Sequence, residues 1–104
     1  MGISRKEALR MVGPGWERLI NKLYEKLPKG GQVSDVKEKY GTLRFYVFNC
    51  DENYLDFISS VEDESAHICE QCGKSGNVAP VFGWYLCLCE ECRQKRIEDR
   101  GLIK

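Results

Sequence analysis

Cys69-Glu70-Gln71-Cys72 and Cys89-Glu90-Glu91-Cys92, with sixteen residues between the pairs, decide how this chain reads. The pattern is C-x2-C-x16-C-x2-C, inside the spacing range of a four-cysteine zinc site. Two residues between paired cysteines let both sulfurs reach one ion. Zinc takes four thiolates tetrahedrally, and four protein ligands leave no open position for water. The spacing therefore predicts one structural Zn²⁺ on Cys69, Cys72, Cys89 and Cys92, and no catalytic metal. Cys87 and Cys50 are spare thiols. Cys87 sits near Cys89, but its spacing to Cys92 is poorer, and free buried cysteine is the default for both. His67, the sole histidine, reads as a polar residue at a helix end, where its cation suits the dipole.

The segments around the pairs fix a local fold. Gly73 supplies a tight turn after the first pair. Val78 to Leu88 is rich in strand formers, with a turn near Phe82-Gly83. Cys89 to about Arg100 has helical composition and is expected to stop at Gly101. Knuckle, hairpin and helix, with the second pair in the first helical turn, form a treble-clef-like finger.

Upstream, Asp51 is a good N-cap, and Tyr54, Phe57, Ile58, Val61 and Ser65 then line one helical face to about Ala66. Before it, Leu43, Phe45 and Val47 alternate with Thr42, Arg44 and Tyr46, as in a strand. Val33 to Lys39 can pair with this strand through a two-residue turn at Tyr40-Gly41, setting Val36 opposite Phe45 and Lys37 opposite Arg44. Ser34 to Tyr40 also reads as a turn or two of helix with a glycine stop. Ser4 and Glu7 fit a capping box opening a helix to about Val12. Gly13-Pro14-Gly15 breaks it. Trp16, Leu19, Ile20, Leu23, Tyr24 and Leu27 then form an amphipathic stripe ended by Pro28-Lys29-Gly30-Gly31.

The fold class expected is α+β: N-terminal helices, a β-hairpin and an acidic helix, followed by the four-cysteine finger. Residues 1–67 form the α+β core and 68–104 the finger, packed as one compact unit. Trp16, Leu19, Ile20, Leu23, Leu43, Phe45, Val47, Phe57, Ile58 and Val61 should fill the main core.

With 104 residues, the chain can bury roughly two-thirds of its unfolded surface, so zinc adds to a core that exists without it. No apolar run approaches the ~20 residues of a membrane span. The first residues lack the apolar core of a secretory signal. Paired thiols then suit a reducing, cytoplasmic setting, where they serve as metal ligands rather than disulfides.

Net charge is zero but unevenly spread. Residues 1–50 carry +5, residues 51–68 carry −6, and residues 69–104 carry +1. Four thiolates on one Zn²⁺ add −2, so the finger itself is not basic. Arg18, Lys22, Lys26 and Lys29 share one helical face, and Lys37, Lys39 and Arg44 share the outer face of the hairpin beside Tyr46. A basic stripe with an aromatic is one footprint of nucleic-acid binding. The plainer reading is a solvated face opposite the apolar stripe. Arg93, Lys95 and Arg96 read as cations offsetting the metal site's charge. No convergent set of catalytic groups is visible, so the chain reads as a binding protein and not an enzyme.

Three stretches together resemble a family of small uncharacterised proteins from bacteriophages and bacterial genomes. They are Gly15-Trp16 opening a helix, the string Val36-Lys37-Glu38-Lys39-Tyr40-Gly41-Thr42-Leu43-Arg44-Phe45-Tyr46, and the cysteine pairs with Gly73 and Gly83-Trp84-Tyr85. The resemblance spans about residues 13–92 and implies a phage or prophage protein with a zinc-bearing C-terminus. In such proteins the last ligand is sometimes His; here it is Cys92. The first expectation for a partner is a host protein, matched to the uneven charge. The alternative is nucleic acid held by Arg18, Lys22, Lys26, Lys29, Lys37, Lys39 and Arg44.

Overall fold

The computed structural model describes residues 2–102 and shows an α+β fold with two separate antiparallel hairpins. Helix α1, Arg5–Met11, opens on the capping box: the Glu7 N–H donates to Ser4 Oγ at 3.2 Å, and the Ser4 N–H donates to Glu7 Oε1 at 3.0 Å. Pro14–Trp16 make a single 3₁₀ turn, and α2 follows as Glu17–Glu25. It ends before Leu27, the last residue of the apolar stripe. Pro28 pushes the residue before it out of the helical region, and the Leu27 N–H has already tightened onto Tyr24 O at 3.3 Å.

Strands β1, Gln32–Lys39, and β2, Thr42–Phe48, pair with Val36 opposite Phe45, Lys37 opposite Arg44 and Lys39 opposite Thr42. The strand reading of Val33–Lys39 is therefore the right one. A bulge between Val33 and Asp35 was not legible from alternation. It explains why Val33 and Val36, three residues apart, are both buried: the extra residue turns the pleat by one position.

Each hairpin closes on an aromatic–glycine pair with both residues in the left-handed region. Tyr40 and Gly41 have φ of 53° and 84°, and Phe82 and Gly83 have 52° and 88°. Such a two-residue turn matches strand twist but demands positive φ twice. Glycine meets that demand freely, whereas a side chain there costs roughly 1–2 kcal/mol.

Helix α3, Glu52–Ser65, begins where Asp51 Oδ1 accepts from the Tyr54 N–H at 2.9 Å. Its side chains also finish the sheet. Ser65 Oγ accepts from the Leu43 N–H and Glu62 Oε2 from the Phe45 N–H, both at 2.9 Å. The open edge of β2 is thus paired by a helix rather than left as a template for aggregation.

Between these elements lies the main core. Trp16, Leu19, Ile20, Leu23, Leu43, Phe45, Ile58 and Val61 are buried as expected, while Val47 and Phe57 sit half-buried at its margin. Ala8, Val33, Val36, Tyr54 and Cys87 join them. Cys87 brings part of the finger into this core. A smaller cluster, Cys69, Val81 and Leu88, lies under the second hairpin, formed by β3, Asn77–Val81, and β4, Trp84–Leu88. Helix α4, Glu90–Leu102, runs past Gly101 instead of stopping there.

Candidate metal centre

The first cysteine pair sits on a short ribbon closed by glycine. The Cys69 N–H donates to Lys74 O at 2.7 Å, and the Gly73 N–H donates to Cys69 O at 2.9 Å. Gly73 has a φ of +84°, which only glycine adopts without strain. The second pair straddles the start of α4, one cysteine just before it and one in its first turn. All four sulfurs, of Cys69, Cys72, Cys89 and Cys92, lie within 4.8 Å of one another. Cys72 Sγ and Cys89 Sγ are 3.7 Å apart. Zinc–sulfur bonds of ~2.3 Å in a tetrahedron put sulfurs about 3.8 Å apart. The donor set therefore fits one thiolate-bound ion. His67, exposed to solvent, and Cys87 fall outside the cluster.

The electrostatics of the four thiols point the same way. Cys69 is buried, which alone raises its pKa. Backbone N–H groups of Cys89, Cys72 and Gln71 aimed at its sulfur outweigh that and bring it to about 6. Cys92 is pushed up to about 12, by burial first and then by the neighbouring Cys89, Cys72 and Cys69. One thiolate forms readily, and Cys72 and Cys92 resist ionising beside it, because like charges crowd one site. A dication removes that conflict. Cys87, in contrast, is raised to about 11 by burial, then by Glu70 and Cys69. Its Sγ donates to Ile68 O at 3.1 Å, so it behaves as a packed, protonated thiol.

A feature the sequence reading passed over is how firmly the first knuckle is seated on the N-terminal part. The Gly15 N–H donates to Glu70 O at 2.7 Å, and Trp16 Nε1 donates to Ile68 O at 2.8 Å. A Cβ on Gly13 would lie 2.2 Å from Glu70 O, and one on Gly15 would lie 2.0 Å from Cys69 O. Gly13-Pro14-Gly15-Trp16 is thus a docking surface for the knuckle as well as a helix break. The signal for it was two glycines flanking a proline directly before a tryptophan. From the finger side, Arg93 reaches back to Asn77 O at 2.7 Å and Ala79 O at 3.2 Å, tying α4 to β3.

The cations singled out in the sequence separate into two groups. Arg18 Nη2 donates to Gly73 O at 3.0 Å, and Lys22 pairs with Glu64 at 2.9 Å. These two are engaged with the knuckle and with α3, while Lys26 and Lys29 are exposed further along. Lys37 and Lys39 stand on the outer face of the first hairpin, each 5.7 Å from an aromatic centroid, Tyr46 and Tyr40 respectively. Arg44 lies across from Lys37, its Nε buried without a hydrogen-bond partner.

Compared with known proteins, the chain matches no family model, no curated protein and no solved structure. Among the described residues, no helix is long and apolar enough to cross a membrane.

Proposed function

We propose that this chain is a small, non-enzymatic binding protein whose four thiolates hold one structural zinc in a treble-clef-like finger. One observation carries the reading: a set of four sulfurs within 4.8 Å of one another, Cys72 and Cys89 at 3.7 Å, with backbone N–H groups turned toward them. Zinc is the metal such a set favours, and it leaves no coordination site for substrate. Its part is to fix the knuckle, the second hairpin and the start of α4 relative to one another. Elemental analysis of protein purified without added metal should give one zinc per chain. Replacing Cys72 or Cys89 with Ser should abolish it. A metal-free protein with an unaltered fold contradicts the proposal.

A phage or prophage setting in a bacterial cytoplasm, with a host protein as partner, belongs to the same proposal and rests on the resemblance and on the uneven charge. Part of that charge is spent internally, in Lys22–Glu64 and in the Glu62 bond to β2. The second reading, nucleic acid, draws on a specific observation: Lys37 with Tyr46 and Lys39 with Tyr40 form exposed cation–aromatic pairs on one face of a hairpin. Capture from host extract, with and without nuclease, separates the two.

A further inference from the structure

The tip of the first hairpin rests against the body of the second. Gly41 lies against the second hairpin so closely that a Cβ there would sit 2.8 Å from Val78 Cγ1 and 3.3 Å from the Leu86 carbonyl carbon. Beside this contact is a groove of about 370 Å³ between the first tip and the side of the second hairpin. Tyr40, Phe82, Trp84 and Tyr85 line it together with Lys39 and Arg96. The four aromatics are 67%, 51%, 71% and 52% exposed. Large aromatics this open to water, gathered at one place, mark a recognition surface. Two of them, Tyr40 and Phe82, occupy left-handed turn positions where glycine would be relaxed. Aromatic side chains stand there against backbone strain, which points to a use for them.

Charge decides the occupant. The lining carries two cations and one carboxylate, Glu38, whose Oε2 accepts from the Gly41 N–H at 2.7 Å; the buried Glu70 stands near Glu38 and Arg96, and its carboxyl is held above the usual range, by burial first. From the groove, the cation–aromatic pairs Lys39–Tyr40 and Lys37–Tyr46 continue along the outer face of β1–β2. Flat π-faces interleaved with cations match a ligand that alternates flat bases with anionic linkers. An apolar or proline-rich peptide would use the aromatics but not the cations. A duplex hides its base faces.

Resting on the second, nucleic-acid reading above, we infer that the groove between the first hairpin's tip and the second hairpin binds single-stranded nucleic acid, with bases stacked on Trp84 and Tyr40 and phosphates held by Lys39 and Arg96. The zinc finger then serves to hold one wall of the groove against the other.

The test uses the full chain, its zinc content measured on the same sample, titrated into fluorescein-labelled oligo(dT) and oligo(U) of about twelve nucleotides and into a duplex of equal length, at about 50 mM salt. Single strands should bind more tightly than duplex and quench Trp84, while Trp16, buried in the core, stays unquenched. Trp84→Ala should weaken binding about tenfold or more. Tyr40→Gly should weaken it several-fold while leaving the melting temperature unchanged or higher, since glycine relieves the turn; that pairing separates lost contact from lost fold. Lys39→Ala and Arg96→Ala should each flatten the salt dependence by about 0.7 in log–log slope. Equal or tighter binding to duplex, binding unmoved by Trp84→Ala, or an absence of binding would overturn the inference. Retention of a proline-rich peptide in place of the oligonucleotides would overturn it too. Zinc-loaded, folded protein that binds no oligonucleotide removes this inference and leaves the metal reading standing; zinc-free protein removes the metal reading.

Discussion

The two hairpins close on the same kind of turn, aromatic then glycine, yet they are held in place by different means. The first has one face on a core that includes α2 and α3, and the edge of β2 is satisfied by Ser65 and Glu62. Hydrophobic burial suffices for it. Among the described residues, the second has beneath it a small buried cluster, Cys69, Val81 and Leu88, edged by Leu86, Cys89 and Cys92, with Cys87 and Val78 packed into the main core. So few side chains do not make a core, and small units in that position need a staple. The lesson is that the chain divides its stability between two mechanisms, which should be separable by experiment.

The largest effect should come from the staple. Cys69→Ser should lose the metal and disorder the second hairpin and α4. Zinc-finger peptides owe roughly 10 kcal/mol or more of apparent folding free energy to their ion. Calorimetry should then show a smaller unfolding enthalpy, with the first hairpin's transition remaining. A single cooperative loss of the entire fold would erase the distinction between the hairpins.

Next in size is the seat between the two parts. Gly15→Ala places a methyl group 2.0 Å from Cys69 O and 2.6 Å from Gly73 N, both backbone atoms of the knuckle. The knuckle must move away, at about 3 kcal/mol or more. Trp16→Phe removes the bond to Ile68 O and leaves a cavity where the larger ring was buried, and should cost about 2 kcal/mol or more in denaturant unfolding. If Gly15→Ala proves neutral, the finger is a tethered appendage and not a docked one.

The smallest effect concerns the first core alone. Tyr24 donates its hydroxyl to Ile3 O at 2.7 Å and is pushed up to about 12, by burial and then by Glu7. An unfolded tyrosine titrates near 10. Between those values the unfolded chain has lost a proton that the folded chain keeps, so stability is whole below about pH 10 and falls as pH rises toward 12. Tyr54, also raised by burial, then by Cys50 and Tyr24, adds to the same alkaline decline. Tyr24→Phe should make the decline shallower in thermal melts across this range.

Much of this was legible in the sequence because the signals were local. The capping box at Ser4, the Asp51 cap, the alternation in Leu43–Val47 and the paired cysteines each concern residues a few positions apart. The Val36–Phe45 register followed from the turn length alone. What the sequence hid was non-local. Nothing in the alternation of β1 announced its bulge, since a bulge shows only as two buried valines at an odd spacing. Gly13 and Gly15 looked like breakers until the knuckle was found pressed on them. Arg18 and Lys22 looked like part of a basic stripe until Gly73 O and Glu64 were found opposite. The aromatic groove needs both hairpins, whose turns are about forty residues apart in the chain, and only the fold joins them.

Amide hydrogen exchange on the zinc-loaded protein, before and after removal of the metal by a chelator, tests the account most directly. Protection in Asn77–Val81, Trp84–Leu88 and the first turns of α4 should collapse, while Gln32–Lys39, Thr42–Phe48 and α3 keep theirs. Unchanged protection in the second hairpin after complete metal loss, or equal loss in both hairpins, would contradict it.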